Sequence, residues 1–219
     1  MRPQSTLRAL GAGMALGAIS LTTFGAADAT VARAQAAAPG APIADVAIVG
    51  QRLNVVAGRR AMVRGHVAPA AAGRPITLQR RSGTRWHTID RARTAGDGAF
   101  RFRFRPGRTG SAPVRVRAGA HREPLGRLNV YRRAQASWYG PGLWGGTLGC
   151  GGRLAPGTLG VAHKSLPCGS RVTLRHGGRT VRVRVVDRGP YVGGREFDLT
   201  AATKQRLGFS GVGTILVAH

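Results

Sequence analysis

Hydrophobic and polar residues alternate one by one through the middle of this chain. In residues 99–106, AFRFRFRP, Phe100, Phe102 and Phe104 fall on one face and Arg101, Arg103 and Arg105 on the other. That is the period of a strand with one buried side. PVRVR at 113–117 repeats it with Val114 and Val116, and ITLQRR (76–81), RWHTID (85–90) and GRLNVYR (126–132) read as further strands. SGTR at 82–85 and AGDG at 95–98 break them apart. About six or seven short strands between residues 45 and 131 predict a small β-sandwich of immunoglobulin-like architecture, although the Cys-Trp-Cys pattern of a true immunoglobulin domain is missing. The arginine faces of these strands are solvating, or hold the protein against an anionic surface.

The rhythm changes after residues 132–136, RRAQA, which read as a joint. Residues 171–187, RVTLRHGGRTVRVRVVD, predict a hairpin turning at His176-Gly177-Gly178 and ending at Asp187. DLTAATKQRLGF, from Asp198, holds the one good helix candidate of the mature chain, with Thr200 as N-cap and Gly208 as its stop. GTILVAH closes the chain as a last strand. A small closed barrel with one short helix is expected over residues 135–219, making the protein mainly β.

The first residues follow a different pattern. MRPQSTLR carries Arg2 and Arg8, an uncharged apolar run of about 16 residues follows, and Ala27-Asp28-Ala29 offers a small-x-small cleavage site. This is the order of a secretory signal peptide over residues 1–29. A membrane anchor is the alternative, but the run is short for a span of ~20 residues. Neither this site nor a second one at Ala34-Gln35-Ala36 precedes a lipid-attachment cysteine, and no later segment could span a membrane, so no stable membrane anchor is expected. Residues 30–44, rich in Ala and Pro, read as a flexible linker.

Composition then bears on partners. The net charge is +26, carried by thirty-two arginines and only two lysines, Lys164 and Lys204. Such a charge favours polyanionic surroundings. For an exported chain these are cell-wall polymers bearing phosphates or carboxylates. Nucleic acid is not the expected partner, because no helix-turn-helix, zinc-finger or base-stacking motif is present. Cys150 and Cys168 are the only cysteines. In an exported protein they are most simply a disulfide; two free thiols, or a metal site with His163, are the alternatives.

Three of the eight acidic residues, Asp187, Glu196 and Asp198, crowd into twelve positions. Asp187 ends a strand just before Arg188-Gly189-Pro190. It can act as a general acid or base if burial raises its pKa, or accept main-chain N–H bonds and hold the turn; periodicity alone favours the turn. Asp198 stands two residues before the helix cap, where an anion suits the helix dipole. Glu196 is the least constrained of the three. His163 lies near the Pro167-Cys168-Gly169 turn, and Trp138, Tyr139 and Trp144 sit in ASWYGPGLWGG, where aromatic faces serve either sugar stacking or a core.

SWYGPG, AHKSLPCGSRV, VVDRGPYVGGREFDLT and RLGF, in that order and spacing, resemble the RlpA (rare lipoprotein A) family. The resemblance covers about residues 135–219 and leaves the predicted sandwich out. It implies a six-stranded double-psi β-barrel and lytic transglycosylase action on peptidoglycan glycan strands, preferably strands stripped of stem peptides. An acid protonates the glycosidic oxygen, and the muramyl C6 hydroxyl attacks its own anomeric carbon, leaving a 1,6-anhydro end. No water is consumed, so one acid/base can suffice, unlike the carboxylate pair of ordinary glycosidases, and no cofactor or metal is called for. By position, Asp187 matches the family's catalytic aspartate and His163 its active-site histidine, with Trp138, Tyr139 and Arg188 expected along the glycan groove. The family's glutamate position falls on Gly152. The other expectation is an expansin-like wall-binding or wall-loosening protein without catalysis.

Overall fold

The structure, a computed structural model, describes residues 42–219. The expected signal peptide at 1–29 and all but the end of the 30–44 linker lie outside the described residues. The elements run β1 (Asp45–Arg52), β2 (Asn54–Val56), β3 (Ala61–Ala68), β4 (Pro75–Ser82), β5 (Arg85–Arg93), β6 (Ala99–Phe104), β7 (Gly110–Ala118), β8 (His121–Tyr139), β9 (Gly160–Ala162), β10 (Arg171–His176), β11 (Arg179–Asp187), β12 (Phe197–Thr200), α1 (Ala201–Leu207) and β13 (Gly213–Ala218). Among the described residues the protein is mainly β with one short helix.

The alternating stretches become strands with one face buried. Phe100 and Phe102 of β6 and Val114 and Val116 of β7 are buried, while Arg101 and Arg103 are exposed. Strands β1, β3 and β6 form a three-stranded sheet; β5, β4, β7 and β8 form another, with β2 pairing parallel to β8. One apolar core draws on both, including Val63 and Phe102 from the first and Ile76, Leu78 and Val116 from the second.

The expected joint at 132–136 is not a break. Strand β8 runs straight through it for 19 residues. Ala134 and Ala136 turn into the barrel core, and β13 pairs with this segment from Gly213↔Ala136 to Val217↔Arg132. Continuous main-chain pairing and small inward side chains override the polar composition that suggested a linker.

The C-terminal strands close into a ring. The order β12-β9-β11-β10-β13-β8 is completed by parallel pairing of β12 with β8, Phe197↔Ala136 through Thr200↔Tyr139. This six-stranded barrel is consistent with the double-psi fold. The hairpin turns at Gly177 and Gly178, with φ of 51° and 87°, values that a two-residue turn of this hand requires and glycine adopts without strain. Strands β9 and β12, of 3 and 4 residues, are too short for alternation to reveal.

Helix α1 starts and ends where its sequence signals stand. The Thr200 side chain accepts from Thr203 N, and Gly208 ends the helix in the left-handed region at φ 65°. Thr200 Oγ1 and Thr203 Oγ1 also bond to the main chain of Gly160. A Cβ on Gly160 would meet Val186 Cγ2 at 2.3 Å, so only glycine lets β9 lie this close to β11.

Candidate functional site

Asp187 ends β11 beside a register shift against β9, an irregularity that re-aims a side chain at a barrel rim. Its carboxylate lines an open groove of about 330 Å³ with Tyr139, Leu143, Trp144, Leu148 and Leu154. Leu143 and Trp144 are 55% and 40% exposed and give the groove an apolar wall. Asp187 Oδ1 accepts from Gly149 N at 2.7 Å and Arg188 N at 2.8 Å. A Cβ on Gly149 would stand 2.9 Å from Arg188 Cγ and 3.0 Å from Asp187 Oδ1, so a bare main chain is what lets this loop donate to the carboxylate.

Tyr139 brings its phenol close to Asp187 without an aligned hydrogen bond. Burial first, and then the charge of Asp187, push its pKa well above the usual range for a phenol. The hydroxyl therefore stays protonated, a neutral donor beside the carboxylate. Trp138, the preceding residue on β8, turns to the other side. It packs against the barrel core, with Lys204 Nζ 3.7 Å above its ring. The groove takes Trp144 as its indole.

His163 is 9% exposed. Its Nδ1 accepts from Ser165 N at 3.1 Å and Leu166 N at 3.0 Å, so the neutral ring carries its proton on Nε2, facing Glu196 Oε1 at 3.6 Å. The ring rests against Phe197, 4.7 Å between centroids. Burial lowers the His163 pKa, with Glu196 opposing. Arg132 grips Glu196 with both terminal nitrogens, Nη1 to Oε2 at 2.7 Å and Nη2 to Oε1, and holds its carboxyl below the usual range. His163 meets Asp187 through the main chain, its N–H donating to Asp187 O at 3.2 Å.

Arg188 is occupied by the protein itself. Its guanidinium donates to His163 O at 3.1 Å, Leu166 O at 2.9 Å and Cys168 Sγ at 2.8 Å. Cys150 and Cys168 form a disulfide, which removes the thiol and metal alternatives, and Cys150 N donates to Val186 O at 3.2 Å. Both loops flanking Asp187 are thus tied to β11 and to each other. Asp198 accepts from Ser137 Oγ across the β12–β8 seam; it braces the ring closure, and no acidic residue lies in the helix's first turn. At Gly152, φ is +81° and open space surrounds the Cβ position, a left-handed backbone that disfavours any side chain.

Two features escaped the sequence. The Arg132–Glu196 grip joins residues 64 apart, brought together only by barrel closure. The Gly149 N–H carries no side-chain signal; its neighbour Cys150 was the one marker of that loop.

Residues 131–219 match the family model described as lytic transglycolase. The probable endolytic peptidoglycan transglycosylase RlpA of Synechocystis is 44% identical over 84 residues, 36% of this chain and 26% of that protein. The endolytic peptidoglycan transglycosylase RlpA of Neisseria meningitidis is 44% identical over 100 residues, 44% of this chain and 42% of that protein. That of Pseudomonas aeruginosa is 38% identical over 97 residues, 43% of this chain and 28% of that protein. Among solved structures, the Streptomyces papain inhibitor covers 40% of this chain and 92% of its own, at 22% identity and a TM-score of 0.33. The chain thus spans about a quarter to two fifths of the length of these curated relatives.

Proposed function

Residues 131–219 being an RlpA-like double-psi β-barrel, we propose that the protein is an exported, wall-associated lytic transglycosylase that cleaves peptidoglycan glycan strands. The observation that carries this reading is the Asp187 carboxylate, at a groove walled by Leu143 and Trp144 and touched by a protonated Tyr139. Asp187 serves as the single acid/base. Starting as the carboxylic acid, it gives its proton to the glycosidic oxygen as that bond breaks, and as the resulting carboxylate takes the proton of the C6 hydroxyl as that oxygen bonds to the anomeric carbon. The ring closes to the 1,6-anhydro form, and the carboxyl ends as it began.

Around it, Tyr139 donates toward charge on Asp187 or the leaving oxygen, and Trp144 offers an open face for a sugar ring. Arg188 and His163 act as positioning residues: Arg188 clamps the 163–168 turn, and His163 fixes the main chain that meets Asp187. Trp138 braces the barrel. In this reading the N-terminal strands, expected from the sequence as an immunoglobulin-like sandwich over residues 45–131, serve to hold the barrel near anionic wall polymers.

A second reading is a wall-binding protein without catalysis, favoured by glycine at the family's glutamate position, Gly152. The test is digestion of purified peptidoglycan, with and without stem peptides, by the wild type and Asp187→Asn. Soluble fragments from the wild type alone support the enzyme. Equal sedimentation of both proteins on walls, with no fragments from either, supports the binding protein.

A further inference from the structure

The N-terminal strands carry an open recess of about 570 Å³ that shares no residue with the Asp187 groove. Four arginines line it: Arg52 at the end of β1, Arg59 and Arg60 in the turn after β2, and Arg105 just past β6. Among the described residues, no carboxylate lines it. Elsewhere the arginines often have internal partners: Arg93 donates to Gly73 O, Arg122 to Gly119 O, and Arg132 to Glu196. Among the described residues, no hydrogen bond or ion pair holds any of the four recess guanidiniums.

The walls of the recess are fixed. The turn at 57–60 is pinned by Ala57 N to Tyr131 O at 2.9 Å, Gly58 N to Pro106 O at 2.8 Å and Arg59 N to Val56 O at 2.9 Å. The middle bond ties the Arg59-Arg60 turn to the segment carrying Arg105. Asn54, also in the lining, is oriented by a relay of directional bonds. Arg127 Nε can only donate, and does so to Ser111 Oγ at 2.9 Å. The Ser111 hydroxyl then donates to Asn129 Oδ1 at 2.5 Å, which turns Asn129 Nδ2 toward Asn54 Oδ1 at 2.8 Å. The buried Tyr131 hydroxyl donates to that same oxygen at 2.9 Å. Both lone pairs of Asn54 Oδ1 are filled, so Nδ2 is its free end. The polar side chains of the recess therefore present donors only.

Forked guanidinium donors converging from three chain segments match the oxygens of phosphate groups. The volume is many times the ~30 Å³ share of one water, room for a stretch of polymer rather than a single small ion. Among the described residues, no aromatic side chain lines the recess to offer the stacking platform that single-stranded nucleic acids use. The exposed arginines of β3 and β6, Arg64, Arg101 and Arg103, extend the positive field beyond it.

We infer that the Arg52–Asn54–Arg59–Arg60–Arg105 recess binds the phosphodiester backbone of a base-free polymer, such as a polyol-phosphate chain. The test is calorimetry at fixed ionic strength on the full mature chain with polyglycerol phosphate, and with polyglutamate and oligo-dT as comparison polymers. Asn54→Asp keeps the acceptor that Asn129 and Tyr131 require and replaces the free donor by an anionic oxygen. It and Arg59→Gln/Arg60→Gln are expected to weaken polyglycerol phosphate binding by at least roughly tenfold, the loss of charge-assisted bonds. Arg85→Gln/Arg91→Gln, on exposed positions of β5, removes the same charge as the double variant and should weaken it by less than about threefold, a diffuse surface effect. Equal losses in the two double variants would overturn the inference, as would polyglutamate or oligo-dT binding as tightly as polyglycerol phosphate.

Discussion

At the scale of residues, the proposed chemistry depends on how Asp187 is held. Gly149→Ala would push a methyl against Asp187 Oδ1 and Arg188 Cγ. Misplacing a catalytic group by a fraction of an ångström can cost roughly tenfold or more in rate, so this variant should lose most of its turnover while its melting temperature stays near that of the wild type. Tyr139→Phe keeps the ring and removes the donor. Its turnover should fall by roughly ten- to a hundredfold, in the range of a lost acid–base partner or oxyanion donor, with wall binding unchanged by sedimentation. Alternation placed Asp187 at a strand end and by itself favoured a turn-holding role; the resemblance of its DRGP segment marked it as the acid. The sequence could not separate Trp138 from Tyr139, since alternation puts neighbours on opposite faces without saying which face holds the groove. Trp144 lies outside any regular element, so its exposure had no periodic signal.

The acid response also belongs to residues. Burial depresses the His163 pKa in the folded protein, so the unfolded chain takes up that proton first. Stability from this group is full above ~6.5 and falls as pH drops below it toward the folded value. Glu196 is depressed by Arg132; its contribution is present above ~4.3 and lost as pH falls through its lower folded pKa. Both slopes run the same way, so the melting temperature should fall from pH 7 to pH 5 and again below pH 4.5. Glu196→Gln should reduce stability at neutral pH by about 1 kcal/mol, the upper end for a partly exposed pair, and flatten the lower limb. A melting temperature that rises on acidification would refute the assignment.

Among the elements, caps and hairpin were legible and the two shortest strands were not. Thr200, Gly208 and the Gly177-Gly178 turn act through local chemistry, which neighbouring residues reveal. Strands β9 and β12 exist because distant strands pair with them, and the apparent joint at 132–136 became continuous strand for the same reason. The Thr200 hydroxyl both caps α1 and bonds Gly160. Thr200→Ala should therefore cost about 1–2 kcal/mol, a few degrees of melting temperature, readable by calorimetry. The disulfide joins two loops 18 residues apart, and its removal in Cys150→Ser/Cys168→Ser should cost about 3 kcal/mol by the chain-entropy model. Because those loops carry Gly149 and the Arg188 clamp, activity should fall further than stability alone explains, measured well below the variant's melting temperature.

Across the whole molecule, positive charge is spread over both parts, +14 in residues 45–131 and +10 in residues 132–219, while the proposed catalysis sits in the barrel. Net charge was plain from composition, yet composition could not say that four arginines share one recess; that depends on the pairing of β2 with β8 and the turn at 57–60. Retention on walls should weaken steeply as salt rises, as counterion-linked binding does, while cleavage of short soluble glycans should respond little.

The most direct measurement is the chemistry of the new chain ends. Glycan strands digested in isotopically labelled water by the wild type should carry 1,6-anhydro-muramyl ends, lighter by one water and free of label, and Asp187→Asn should yield none. Labelled reducing ends, or anhydro ends produced equally by Asp187→Asn, would contradict transglycosylation through Asp187.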